Sequence, residues 1–332
     1  MSGAAGAVTL ANGSLEVRVT PAVGGTITSI RHVPTGLSVL GQVPWDAIEE
    51  PIASFAARDE AEWLTRYSGG WPLLFPNGGD ACEIDGIRHG FHGEASISPW
   101  AFTSTQQSLR LRRRFYWVPV EMERDITLDG DVIVVEERLR MHGPRPINVM
   151  WGHHPTFGSD LLAGPVEISS GASLVSADAD FDPDLNPLVP GGEASWPLAS
   201  GKHGEADLSQ PAGPMAALAY LHGFEQGWIA MRRRDDAIAV ALSWDAGLFP
   251  VMWLWVELNG TMEAPWHGRT SLIGLEPNTT RPAYGLAGAS ARGGSSLRLD
   301  PGASLTTTLR LQVLEPRGAI TSVTRDGRAR FR

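Results

Sequence analysis

The stretch TLDGDVIVVEERLRM, Thr127–Met141, decides the fold class. An Asp-Gly pair, Asp129-Gly130, stands between two runs rich in β-branched residues, which is a strong hairpin signal. The same period-two pattern continues outward on both sides. SLRLRRRFYWVPVEMERDITL (Ser108–Leu128) alternates apolar with polar, and SLEVRVT (Ser14–Thr20) does so near the start. GWIAMRRRDDAIAVALSW (Gly227–Trp244) reads as a second hairpin turning near Asp235-Asp236, and VMWLWVEL (Val251–Leu258) and SLTTTLRLQVLE (Ser304–Glu315) as further strands. Only PIASFAARDEAEWL (Pro51–Leu64) has helical spacing. Many strands joined by Gly- and Pro-rich turns predict an all-β chain built as a large antiparallel sandwich.

The 332 residues contain 42% hydrophobic and 19% charged residues, enough for a substantial core. No repeat or interdomain linker appears, so residues 1–332 read as one domain. Residues 159–214 are poor in strand pattern and read as an irregular insertion, and the locally basic 317–332 as a frayed tail. A formal net charge of -10 without a broad basic block excludes nucleic acid as a main partner. The single cysteine, Cys82, forms no intrachain disulfide and fits a reducing compartment. The first residues lack a basic and apolar leader, and no apolar run approaches a membrane span. The expectation is a cytoplasmic protein, monomer or homodimer.

Four segments place polar residues among Gly and Pro at strand ends, where an all-β scaffold displays a site. They are GGWPLLFPNGGD (Gly69–Asp80), IRHGFHGEASISPW (Ile87–Trp100), NVMWGHHPTFG (Asn148–Gly158) and LIGLEPNTTRP (Leu272–Pro282). Each has an ordinary structural reading: His154 as a core histidine, Glu276 as a solvated strand end, the Gly and Pro as turn chemistry. His89, His92, His153 and His154 match no standard metal-ligand spacing, so no metal is expected. Trp71, Trp253 and Trp266 are candidate stacking platforms, Trp253 equally a core residue. Arg88 and Arg281 are candidate anion contacts, and Asp245 a candidate hydroxyl partner or turn residue.

Taken in order, these motifs resemble the aldose 1-epimerase (galactose mutarotase) superfamily, in style closest to its hexose-phosphate mutarotase-like branch. The resemblance runs from about Gly69 to Pro277. It implies a mutarotase-type supersandwich and interconversion of sugar anomers by acid/base ring opening. It places the general acid at His154 and the general base at Glu276; should Glu276 fail, Glu257 or Glu94 is the next candidate base. It gives a sugar contact to His89; Trp71, Arg88, His92, His153, Asp245 and Trp266 are further candidate contacts read from the residues themselves. His153 either contacts a hydroxyl or serves the core. No cofactor is implied, and the partner is a small sugar or sugar phosphate. As acid, His154 should be protonated, with a pKa held up by acidic neighbours. The Asn-Arg pair of galactose-type enzymes is absent, Gly70-Trp71-Pro72 standing there, and Thr156 replaces the usual Tyr. A non-catalytic sugar binder and a metal-dependent sugar isomerase remain as alternatives on the same residues.

Overall fold

The computed structural model describes residues 6–332, so the leader reading begins outside the described residues. Two large antiparallel sheets face one another. The first runs, in spatial order, Val166–Ser170, Gly227–Arg233, Ala239–Trp244, Ser304–Leu314, Val132–Met141, Val120–Asp129, Ser108–Arg114 and Ala101–Ser104. The second runs Glu193–Ser195, Leu174–Ala177, Met215–His222, Val251–Leu258, Ser271–Asn278, Gly152–His153 and Leu73–Leu74, with Thr156–Phe157 also paired to Ser271–Asn278. A three-stranded sheet, Val8–Ala11, Leu15–Thr20 and Thr26–His32, flanks them.

Alternation explains which strands form and which face they bury. Leu15, Val17 and Val19 are buried while Glu16 and Arg18 are exposed. Ile126, Ile133, Val135, Leu309 and Leu311 from the first sheet meet Met252, Leu254, Ile273 and Leu275 from the second in one core. Each such side chain contributes roughly 1.5–3 kcal/mol when removed from water. The hairpin of the deciding stretch forms with Asp129 opposite Val132, so its two turn residues are Gly130 and Asp131, one position beyond the expected pair. Gly130 has φ +59°, the left-handed conformation the turn requires.

Three expectations change. The segment 159–214 carries the strands Val166–Ser170, Leu174–Ala177, Glu193–Ser195, Leu198–Gly201 and Gly204–Asp207. The tail is not frayed: Ile320–Val323 pairs with Ala329–Phe331, and Ile320 and Val323 pack on Ala230, Ala239 and Ala241. That cover is why all of Ala239–Trp244 is buried. The expected helix shrinks to Glu60–Leu64, capped by the Asp59 carboxylate, which accepts from the Glu62 N–H at 2.8 Å. No helix among the described residues is long and apolar enough to cross a membrane.

Candidate active site

Register alone brings His154 and Glu276 together. Gly152 pairs with Asn278, and Thr156 pairs with Gly274. Two antiparallel strands so aligned place residue 154 opposite residue 276, and opposed residues project from the same face. The imidazole Nε2 lies 3.6 Å from Glu276 Oε1, and both side chains are buried. Gly274 makes room for the carboxyl, because a Cβ there would stand 2.2 Å from Glu276 Oε1. Behind the pair, the Gly69–Asp80 segment acts through its backbone. Pro72 carbonyl accepts from the His154 N–H at 3.0 Å, and Gly70 carbonyl from the Thr156 N–H at 2.8 Å.

A hydrogen-bond chain fixes the imidazole. His154 Nδ1 meets Thr156 Oγ1 at 2.9 Å, and the Tyr67 hydroxyl donates to that same oxygen at 2.7 Å. Trp63 stacks on Tyr67 with ring centroids 4.5 Å apart, and its indole N–H donates to Ser96 Oγ. The pair opens into a cavity of about 430 Å³ walled by Trp63, Tyr67, Phe91, Trp253, Trp255 and Trp266. Exposed Glu60, Asp80 and Glu263 stand at its mouth.

Burial sets the protonation of the pair. It pushes the His154 pKa down to about 4, and pushes Glu276 well above the usual carboxylate range. The expectation of an imidazole held protonated by acidic neighbours is therefore overturned. The one carboxylate against it is itself desolvated, and aromatic rings surround both. His92, T-stacked on His154 at 5.3 Å, is also lowered, first by burial and then by His154. Its Nδ1 accepts the Gly79 N–H at 2.9 Å, which leaves the ring proton on Nε2.

The other expected contacts divide. His92 and Trp266 line the cavity with the pair, as does Trp253, whose indole N–H donates to Thr280 carbonyl at 2.7 Å. His89 is buried outside the cavity wall, its Nδ1 without a hydrogen-bond partner and its pKa lowered to about 4 by burial. Arg88 lies over the Trp117 ring. Asp245 lines a different cleft, where its carboxylate accepts the Gly247 N–H. Trp71 and His153 turn away from the cavity into the core, because residue 153 projects from the face opposite residue 154. Trp71 Nε1 donates to His153 Nδ1 at 3.2 Å. Arg281 donates to Ser176 Oγ in a neighbouring cleft. Glu94 and Glu257 hold backbone: Glu94 accepts from the Tyr116 and Trp117 N–H groups, Glu257 from those of Gly260 and Thr261. Trp63, Tyr67 and Trp255 carry no motif; their only signal is the i, i+4 spacing of Trp63 and Tyr67 after a capping Asp59. Among the described residues, no group of three or more His, Cys, Asp or Glu is arranged to hold a metal ion.

No family model matches the chain, and no curated protein matches it in sequence. Solved structures do match it in shape. An Escherichia coli K12 protein provisionally named an aldose 1-epimerase superposes with TM-score 0.67 at 17% identity, over 94% of this chain and 100% of that one. A Synechocystis sp. PCC 6803 protein gives 0.66 at 18%, over 93% and 96%. A galactose mutarotase-like protein of Lactobacillus casei gives 0.62 at 14%, over 93% and 100%. The described chain thus has the fold of the aldose 1-epimerase and galactose mutarotase-like proteins.

Proposed function

We propose that the protein interconverts the α and β anomers of a sugar. The observation that carries this reading is the register-opposed pair His154 and Glu276, 3.6 Å apart in an aromatic-walled cavity. Anomer exchange acts on two oxygens bonded to one carbon, the ring oxygen and the anomeric hydroxyl, so a close acid/base pair suits it. One member gives a proton to the ring oxygen while the other takes the hydroxyl proton. The bond from C1 to the ring oxygen breaks and the C1 carbonyl forms. Rotation about C1–C2 presents the other carbonyl face. Reclosure returns both protons by the reverse transfers.

The cycle needs one proton on the pair and one vacancy. Burial favours neutral His154 with protonated Glu276, and moving that proton across the pair gives imidazolium and carboxylate at the same net charge. Either arrangement starts the cycle, so the acid and base names that the resemblance attaches to His154 and Glu276 describe one of two equivalent states. Each transfer typically contributes about 10²–10⁴ in rate. The test is exchange NMR between anomers of neutral and phosphorylated aldoses. Accelerated exchange with wild type and none with Glu276→Gln is expected, with sugar affinity kept. A wild-type protein that binds sugars without accelerating exchange would establish a binding module instead.

A further inference from the structure

The anomer-exchange reading fixes how a sugar lies, and the following rests on it. With the ring oxygen and anomeric hydroxyl at the pair, the carbon at C5 sits beside the ring oxygen, and its substituent C6 beside whichever member faces that oxygen. Around His154 that space is ringed: His92, Tyr67, Trp255 and Trp63 have ring centroids 5.3, 5.7, 5.9 and 6.0 Å from the imidazole. The hydroxyl of Tyr67 is committed to Thr156 and the indole N–H of Trp63 to Ser96. Beside Glu276 stands its register partner Trp253, whose N–H is committed to Thr280 carbonyl. Either way, C6 meets mostly carbon, the His92 Nε2–H and the Trp255 indole being the donors left beside it.

Polar groups at the wall repeat this pattern. Tyr284 donates to Asp178, and Thr261 Oγ1 to Glu257. What remains for a ligand is the pair itself, the His92 ring, the indoles of Trp255 and Trp266, and the carboxylates of Glu60, Asp80 and Glu263 at the mouth. Those carboxylates suit hydroxyls donated from the far side of a sugar. No Lys or Arg lines the cavity among the described residues. Just outside the lining, Arg269 donates to the carbonyl of Pro265 at 3.4 Å; in the neighbouring cleft that shares Tyr284, Arg292 is paired with Asp180 and Arg281 is bonded to Ser176. An anionic substituent inside the cavity would be desolvated near carboxylates, with no lining cation to pair it.

We infer that the sugar of this site is a neutral 6-deoxyhexose, with a methyl group on C5 against the aromatic wall, and not a hexose phosphate or a uronate. An apolar pocket discriminates modestly against an added hydroxyl and far more against an unpaired charge. The experiment measures anomer exchange and affinity over sets matched except at C6: D-glucose, 6-deoxy-D-glucose and D-glucose 6-phosphate, and the same three of D-galactose. Expected kcat/KM is roughly tenfold higher for the 6-deoxy sugar than for its parent, and roughly 100-fold or more lower for the phosphate. Glu263→Lys should narrow the gap between parent and phosphate. A parent hexose equal to or better than its 6-deoxy partner, or a phosphate equal to its parent, overturns the inference while leaving anomer exchange intact. If no sugar exchanges, the catalytic reading fails and the order of affinities still decides: deoxy above parent above phosphate supports the inference, while any other order, or no binding, overturns it.

Discussion

Adjacent histidines at one strand end have each been given a glutamate, and the two pairs do opposite things. His153 Nε2 lies 3.3 Å from Glu137 Oε2, and His154 Nε2 lies 3.6 Å from Glu276 Oε1, with all four side chains buried. Glu137 is closed in by a cation and a donor: Arg124 Nε stands 3.0 Å from its Oε1, and the Trp151 indole donates to Oε2 at 3.1 Å. Burial pushes the Glu137 carboxyl up, but the neighbouring His153, the Arg124 guanidinium and the Trp151 indole outweigh it and leave the pKa lowered. Glu276 has burial without a compensating cation, and its pKa rises. The same residue types, one strand face apart, therefore make a locked charge and, on the anomer-exchange reading, a mobile proton. What separates them is Arg124 behind one and a cavity before the other.

The largest expected effect breaks the cavity pair. Glu276→Gln and His154→Asn should each slow anomer exchange by about 10²–10⁴, and the double variant should be little worse than either single one, because the pair acts as a unit. Exchange NMR on the three purified variants checks this. A Glu276→Gln protein with near-wild-type exchange would remove the assignment.

Breaking the locked pair should harm stability instead. Arg124→Met leaves Glu137 buried without its guanidinium, an expected loss of about 3–5 kcal/mol. Denaturant unfolding measures it. His153→Leu strands the Trp71 N–H and should cost about 1–3 kcal/mol, with exchange close to wild type where the protein is folded. Exchange falling as far as in His154→Asn would show that His153 belongs to the chemistry.

The fold was legible where strands bury one face, as in Leu15–Thr20, whose period-two pattern matches its burial. It was illegible where short strands are built from small residues, as in Leu198–Gly201 and Gly204–Asp207, and where the Ile320–Val323 hairpin is held by packing onto a neighbouring strand. His154 and Glu276 each end an apolar run next to a proline, but it was the resemblance of the ordered motifs that singled them out. Nothing local separates His153 from His154, since the face a strand residue takes is set by pairing partners far away in sequence. Trp71 drew notice because it stands in the Gly69–Asp80 motif; it is core because the Gly70 backbone bridges to Thr156 and its indole reaches His153 behind it.

The pH dependence sharpens the comparison with respect to activity. Exchange should hold while the pair keeps one proton. It should fall below about pH 4, where His154 gains a second, and again above the raised range of Glu276, where the last is lost. An activity limb centred near pH 6.5 would mean that His154 titrates as an ordinary imidazole.

The smallest expected effect has the sharpest sign. Glu276 holds its proton more tightly folded than unfolded, so its contribution to stability is present at low pH and is lost as pH rises through the folded pKa. Glu137 holds its proton less tightly folded, so its contribution is present above the unfolded pKa and is lost as pH falls through the folded one. Gln cannot ionise in either place. At neutral pH, Glu276→Gln should therefore raise the Tm above wild type, with the gain growing as pH rises from the ordinary carboxylate range. Glu137→Gln should lower it, because Arg124 is then left without its counter-charge. Thermal unfolding of both variants across pH measures the two differences. Shifts of the same sign would mean that the cavity carboxyl is as well compensated as the one in the core, and the distinction between mobile proton and locked charge would collapse.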